Sequence, residues 1–155
     1  MTTPRAVLLD IVAWTALGFG FGYGAHRLSL QVLARDNWLT RIRPWEQGGE
    51  IYRSLRINRW KDALPEAGAF FRGGMSKRKL PGYDRDGLAR FAAETRRAEL
   101  VHWGLLGSSP VFVLWNPPVL DVAMIAYAVV ANVPFIIIQR FNRARVARIL
   151  ARVDR

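Results

Sequence analysis

Long apolar stretches alternate with strongly charged ones along this chain. Residues 6–25 (AVLLDIVAWTALGFGFGYGA) carry one charge, that of Asp10, and residues 122–139 carry none. At about 1.5 Å per residue, a helix over either stretch is about 27–30 Å long, close to the thickness of a hydrocarbon core. The pattern predicts an all-α integral membrane protein whose N-terminal membrane helix spans residues 6–25.

Residues 100–139 predict a helical hairpin in the membrane. Residues 100–120 lack charged side chains, but Asn116-Pro117-Pro118 interrupts them, so we expect the chain to turn there. A hairpin of soluble core helices is the alternative, although soluble helices rarely lack charge over so many residues. The first helix carries glycines at the spacing of a helix-packing face, through which an oligomer can form: Gly18, Gly20, Gly22 and Gly24.

The distribution of charge predicts the orientation. The net charge is +11, and most of it lies in residues 27–97 and in the six arginines of residues 140–155. Because cytoplasmic loops of membrane proteins are enriched in Lys and Arg, we expect both regions on the cytoplasmic side. The chain is then a single multi-pass domain of the cell membrane: a helix (6–25), a cytoplasmic segment (27–98), a hairpin (100–139) and a basic tail (140–155). A secretory signal over residues 6–25 is disfavoured, because no A-x-A site follows it.

The cytoplasmic segment contains a predicted interfacial helix. Within residues 44–68, Ile51 and Leu55 recur at helical spacing, and bulky aromatic residues alternate with arginines. This mixture is typical of an element in the lipid headgroup layer, and an ordinary solvated helix is the alternative. Residues 73–87 form a turn-rich basic loop that contains Ser76 and the cations Lys77, Arg78 and Lys79.

Two polar stripes follow this loop. Thr95, Glu99 and His102 are four and three residues apart, so they share one face of a helix that enters the apolar region at His102. An ionisable pair at such a boundary is costly unless it is hydrogen-bonded or functional. Asn132 and Gln139 form a second stripe. We expect no metal site, because the chain has no cysteine and two histidines, and Glu99 with His102 supplies too few ligands.

Three sequence blocks resemble one known family. ETRRAELVHW (94–103), IAYAVVANVPFIIIQRFNRARVARIL (125–150) and RINRWKDALP (56–65) are similar, in order and spacing, to small membrane acyltransferases of the glycosyl-4,4'-diaponeurosporenoate acyltransferase family. The resemblance covers about two thirds of the chain. It implies the last step of staphyloxanthin-type carotenoid biosynthesis, in which a fatty acyl group is esterified onto the glucose 6-hydroxyl of a glycosylated carotenoid acid.

Acyl transfer of this kind requires a base, stabilisation of an oxyanion and contacts to a phosphate-bearing thioester. We expect His102 to be the base, oriented by Glu99 or Glu94. The candidate substrate-binding residues are Asn132, Gln139, Trp103, Trp60 and Lys61. For the phosphates of acyl-CoA, a co-substrate and not a cofactor, they are Arg140, Arg143, Arg145, Lys77, Arg78 and Lys79.

A second hypothesis is a non-catalytic membrane adaptor that binds anionic lipid or a partner enzyme through its basic face. It accounts for the net charge and for the hairpin, but not for a Glu-His pair at the membrane boundary. Nucleic-acid binding is disfavoured, because the basic residues adjoin the apolar segments and no recognised nucleic-acid-binding fold is indicated.

Overall fold

The computed structural model describes residues 3–64 and 84–153, and these residues are mainly helical, without a strand. The α-helices are α1 (Thr3–His26), α2 (Leu30–Ala34), α3 (Glu50–Ser54), α4 (Ile57–Trp60), α5 (Arg85–Ser108) and α6 (Pro118–Val153). Three 3₁₀ helices accompany them, at Pro44–Gly49, Lys61–Ala63 and Ser109–Leu114. The predicted all-α class is therefore confirmed for the described residues.

Helices α5 and α6 form a helical hairpin, which is longer at both ends than the predicted hairpin of residues 100–139. The side chain of Asp84 accepts a hydrogen bond from the backbone N–H of Gly87 and begins α5, and α6 begins at Pro118, directly after the turn. The two helices run antiparallel: Leu88 near the start of α5 packs with Val146, far along α6. The hairpin turn at the prolines is confirmed.

Two helices in the described part of the chain are long and apolar enough to cross a membrane, Thr3–His26 and Pro118–Arg152. The arm at residues 100–115 is not among them, because its α-helix ends at Ser108 and continues as a 3₁₀ helix. Helix α6 differs from expectation in another way. It continues without a break through Pro134 and through residues 140–153, so the predicted basic tail is the C-terminal part of the same helix.

Helix α1 is held against the hairpin at both ends. Near its start, Asp10 is buried and accepts hydrogen bonds from Trp115 Nε1 at 2.8 Å and from Asn116 Nδ2 at 3.0 Å. At its other end, the Arg97 side chain of α5 donates to the backbone oxygens of Ala25 and His26. Asp10 thus connects the first helix to the hairpin turn.

The segment before α5 does not form the predicted amphipathic helix. Gly49 and Arg56 have positive φ angles of 95° and 50°, and the chain changes direction at both residues. As a result Tyr52 and Ile57 are buried against Phe141, whereas Ile51 and Leu55, the predicted apolar face, are exposed. This segment packs on the C-terminal half of α6 and forms one wall of the polar site described below.

The predicted glycine face of α1 is open in the single chain. An added Cβ at Gly18, Gly20 or Gly24 would meet no atom within 4 Å. Close helix contact is instead made at Gly104 of α5, where a Cβ would lie 2.5 Å from the ring of Phe21. Oligomer formation through the glycines of α1 remains a prediction.

Candidate active site

His102 belongs to α5, and its side chain contacts α6 at the level where the polar part of the hairpin meets its apolar part. Its Nδ1 atom is 3.0 Å from Oδ1 of Asn132, and its ring stacks on Phe135, with centroids 4.7 Å apart and planes at 8°. Asn132 is buried, and its Nδ2 group donates to the backbone oxygen of Ala128 at 2.9 Å. The imidazole is therefore held in both position and plane.

These contacts select one tautomer of His102. Because Nδ2 of Asn132 is committed to the Ala128 carbonyl, the atom that faces His102 is the amide oxygen, which accepts hydrogen bonds. The proton of a neutral imidazole then lies on Nδ1, and the lone pair lies on Nε2. A histidine oriented through Nδ1 by an amide, with Nε2 as the basic nitrogen, has the geometry of a general base.

Glu99 lies one turn before His102 on α5 and is fully buried. Its Oε1 accepts from Arg140 Nη1 at 2.6 Å and from Trp103 Nε1 at 3.1 Å, and its Oε2 accepts from Arg143 Nη2 at 2.6 Å. The negative charge of Glu99 is therefore balanced inside the protein by the positive charges of these two guanidinium groups.

A second carboxylate, Glu46, completes the charge balance. It is buried and accepts from Arg140 and from the hydroxyl of Tyr52. Burial by itself raises the pKa of Glu46, but the hydrogen bonds from Arg140, Tyr52 and the Arg43 N–H outweigh it, so this pKa lies below the usual 4.5. Burial, and then the bond to Glu46, raises the pKa of Tyr52. Two carboxylates thus face two guanidinium groups.

This network differs from the expected roles of its members. Both oxygens of Glu99 are bonded to Arg140, Arg143 and Trp103, so Asn132, and not Glu99, is the observed partner of His102 Nδ1. Arg140 and Arg143 were expected to bind the phosphates of the donor. Each is more than nine-tenths buried and pairs with carboxylates, so neither presents a guanidinium group to solvent.

The other predicted residues lie in several places. Glu94 pairs with Arg97 at 3.1 Å on α5, and Gln139 is fully buried on α6. Trp60 packs against the cluster formed by Tyr52, Ile57 and Phe141. The Nζ atom of Lys61 lies 3.7 Å from Oδ1 of Asp62, and the side chain of Arg145 is exposed. The basic loop with Lys77, Arg78 and Lys79 lies outside the described residues.

Sequence reasoning missed Glu46, Tyr52 and Thr40. Thr40 is fully buried, and its backbone oxygen accepts from Arg143 Nη2. These residues lie 88 to 103 positions from their partners on α6, and no spacing rule connects such distant positions. The one available signal was compositional: a lone acidic residue among arginines in residues 41–46.

Among the described residues, no group of three or more His, Cys, Asp or Glu side chains is arranged to hold a metal ion. Histidine and carboxylate side chains are nonetheless concentrated along α5. Their described partners are protein groups: Asn132 for His102, the arginines for Glu99 and Arg97 for Glu94.

The sequence model of the glycosyl-4,4'-diaponeurosporenoate acyltransferase family matches residues 35–152. A protein with that name from Staphylococcus haemolyticus (strain JCSC1435) is 31% identical over 140 residues, which is 89% of this chain and 81% of that protein. One from Staphylococcus aureus (strain MRSA252) is 34% identical over 108 residues, 68% of this chain and 64% of that protein. No solved structure matches. The chain therefore belongs to the glycosyl-4,4'-diaponeurosporenoate acyltransferase family.

Proposed function

We propose that this protein is a membrane O-acyltransferase that moves a fatty acyl group from an acyl thioester, acyl-CoA, to a sugar hydroxyl of a glycosylated carotenoid acid. The names of the relatives support the acceptor class, and the family resemblance supports the glucose 6-hydroxyl as the acylated position. The single observation that carries the proposal is the contact between His102 Nδ1 and Asn132 Oδ1, with Asn132 anchored to Ala128.

His102 acts as the general base in this proposal. As the sugar hydroxyl oxygen attacks the thioester carbonyl carbon, Nε2 of His102 takes the hydroxyl proton. The C–S bond of the tetrahedral intermediate then breaks, and the proton passes from Nε2 to the leaving sulfur. The products are the sugar ester and a free thiol. The chain has no cysteine, which favours direct transfer over a thioester on the enzyme.

Asn132 is a positioning residue and not a group that reacts. It fixes the plane and the tautomer of His102, as the third member of a catalytic triad does. The stack on Phe135 restricts the ring further. A fixed imidazole favours the reaction because the side chain loses little rotational entropy when the transition state forms.

The donor phosphates bind elsewhere in this proposal. Of the three arginines considered on α6, Arg145 is exposed, whereas Arg140 and Arg143 are paired with carboxylates. We propose that Arg145 contacts the phosphates of acyl-CoA together with Lys77, Arg78 and Lys79 of the basic loop. No cofactor is required.

Helices α1 and α6 place the protein in the cell membrane in this proposal, with residues 27–97 and the end of α6 on the cytoplasmic side. The positive-inside bias of these regions supports the orientation. His102 then lies where a membrane-bound glycolipid meets a cytosolic donor.

The experiment is to incubate purified protein in detergent with labelled acyl-CoA and a panel of glycosylated lipids, including a glycosyl carotenoid acid, and to look for a labelled ester. The expected result is an ester with glycosylated acceptors that is lost in His102→Ala. The matched control is His26→Ala, which removes the other histidine of the chain and keeps His102. If no acceptor is esterified by correctly folded protein, the adaptor hypothesis replaces this one.

A further inference from the structure

Two tryptophans in the segment after α2 are exposed on the surface of the chain. The side chain of Trp38 is 76% exposed and that of Trp45 is 62% exposed. Tryptophan rings are highly buried on average in folded proteins, and large exposed apolar groups that lie close together mark an interaction surface. We call residues 37–46, which contain both rings, the tryptophan segment.

The backbone of the tryptophan segment is bound to α6. The carbonyl oxygens of Leu39 and Arg41 accept hydrogen bonds from Arg140 at 3.2 and 2.9 Å, and the carbonyl oxygen of Thr40 accepts one from Arg143. The two tryptophan rings are therefore presented by a backbone that is fixed to the hairpin, and their exposure is a property of the folded chain.

These contacts place the tryptophan segment level with the end of α1. Arg140 also donates to Glu99 of α5 at 2.6 Å. Two residues earlier on α5, Arg97 donates to the backbone oxygens of Ala25 and His26, where α1 ends. Two residues of α-helix rise by about 3 Å, so the segment and the C-terminal end of α1 lie at nearly the same level of the hairpin.

This level is the membrane boundary in the proposed placement of the protein. Helix α1 is one of the two helices long and apolar enough to cross a membrane, and its C-terminal end is where the chain leaves the hydrocarbon core. Tryptophan is enriched at such boundaries, because its ring is apolar and its N–H group is polar. Lipid headgroups and the upper parts of acyl chains are therefore suited to cover Trp38 and Trp45.

The charges beside the two rings fit an anionic surface. The guanidinium carbon of Arg43 lies 5.3 Å from the centroid of the Trp38 ring, and the side chain of Arg41 is exposed. The nearby carboxylates do not cancel these charges, because Glu46 is buried and Asp36 pairs with an arginine of α5. The exposed charge of the segment is thus positive, and it is complementary to anionic lipid headgroups.

We propose that the tryptophan segment docks on the headgroup layer of the membrane, with Trp38 and Trp45 inserted among the lipids and with Arg41 and Arg43 against anionic headgroups. The inference rests on the proposed function only through the membrane placement of α1. It connects the membrane surface with the candidate active site, because the same segment binds Arg140, the partner of Glu99. A second protein copy over the rings is the alternative occupant.

Spin labels on this cysteine-free chain test the proposal. Trp38→Cys and Trp45→Cys proteins are each labelled with a nitroxide and reconstituted in vesicles of phosphatidylcholine and phosphatidylglycerol. Collisions of the label with oxygen, which concentrates in the bilayer, are compared with collisions with a water-soluble nickel chelate. Because each variant keeps the other tryptophan, the segment is expected to stay docked.

Two further positions calibrate the measurement. Arg90 is exposed on α5 and precedes Arg97 by seven residues, about 10 Å along the helix toward the cytoplasm. Phe19 is 70% exposed and precedes His26 by seven residues, about 10 Å into the membrane. The ratio of oxygen to nickel collisions at positions 38 and 45 is expected to be several-fold higher than at position 90 and lower than at position 19.

The lipid composition tests the role of the arginines. In vesicles of phosphatidylcholine alone, the oxygen-to-nickel ratio at position 45 is expected to fall. Arg41→Gln is expected to lower the same ratio in the mixed vesicles, and it keeps the backbone oxygen that binds Arg140. The same ratio in both lipid compositions would overturn the assignment of anionic headgroups to this surface.

Ratios at positions 38 and 45 equal to that at position 90 would overturn the docking, because the rings would then lie in water. Labels that neither reagent reaches would also overturn it and would indicate a second protein copy over the rings. Both results differ from failure of the proposed function. A label at position 19 that collides mainly with nickel would contradict the membrane placement itself, and ester formation by the wild type reports on the reaction independently of these labels.

Discussion

The Nδ1 atom of His102 lies 3.0 Å from the Oδ1 atom of Asn132, on facing helices of the hairpin. The two residues are 30 positions apart in the chain, and they meet because the turn at Asn116 and Pro117 brings α6 back along α5. Since Asn132 is itself fixed by the Ala128 carbonyl, this one contact sets the tautomer of His102. The proposed chemistry depends on that tautomer.

Replacement of Asn132 tests its positioning role. Asn132→Leu removes the acceptor and leaves Nδ1–H of His102 without this partner, a cost of about 1–3 kcal/mol that corresponds to roughly a 5- to 160-fold lower kcat. Asn132→Asp restores an acceptor and should recover part of the activity. The measurement is kcat and both KM values for the two variants. Equal loss in both variants, or a loss confined to the acceptor KM, would contradict a positioning role.

Replacement of Glu99 is expected to affect stability more than chemistry. Glu99→Gln leaves Arg140 and Arg143 without their shared carboxylate, and breaking a buried pair costs on the order of 3–5 kcal/mol. The thermal midpoint in detergent should fall by roughly 6–20 °C. Glu94→Gln is the matched control, because its ion pair lies within one helix and is only partly buried, and it should change the midpoint little. A normal midpoint with greatly reduced kcat in Glu99→Gln would instead indicate that Glu99 acts on His102.

Glu46 makes stability depend on acidic pH. Its pKa in the folded protein is lowered below 4.5, so its contribution to the free energy of unfolding is fully present above the unfolded pKa of about 4.5. The contribution is lost as the pH falls through the lower, folded pKa. We expect the thermal midpoint to drop steeply below about pH 4.5 in the wild type and less steeply in Glu46→Gln.

Glu50→Gln controls for carboxylates in general, because Glu50 is exposed and pairs with Arg148 at the surface. It should keep the acid dependence of the wild type. If Glu46→Gln showed the same slope as the wild type, the acid dependence would come from other carboxylates.

Much of the fold follows from local sequence rules. The proline turn, the hairpin and the placement of Glu99 and His102 on one face of α5 depend on apolar runs, on Pro and on helical spacing, all of which are local. The partner of His102 was not predictable in this way. It depends on the register of α6 against α5, and this register is set by contacts such as Leu88 with Val146.

The buried ion pairs of Arg140 and Arg143 show more clearly that local sequence rules do not predict contacts between distant residues. Six arginines in residues 140–155 indicated an exposed basic surface, because unpaired arginines are rarely buried. The structure buries Arg140 and Arg143 because Glu46 and Glu99 come from distant parts of the chain to meet them. Local charge counting cannot detect this pairing. Ile51 lies in α3, but its predicted apolar face is exposed for a related reason: the contact of Tyr52 with Phe141 decides which side of α3 is buried.

Cysteine labelling tests the proposed orientation on this naturally cysteine-free chain. Arg90→Cys places a thiol on the exposed start of α5, and Val119→Cys places one at the hairpin turn, where the side chain is 81% exposed. In intact cells, an impermeant maleimide should label the Val119→Cys variant and should label Arg90→Cys only after permeabilisation. The reverse pattern would invert the topology. Labelling of both variants in intact cells would contradict a membrane crossing between the two positions.

The most direct test of the central claim is the kcat of His102→Ala, measured with saturating acyl-CoA and glycosylated acceptor. If His102 is the general base, kcat should fall by about 10²- to 10⁴-fold while both KM values change little, because the base acts in the transition state. The thermal midpoint should stay close to that of His26→Ala. Full turnover in a folded His102→Ala variant would contradict the assignment of His102 as the base.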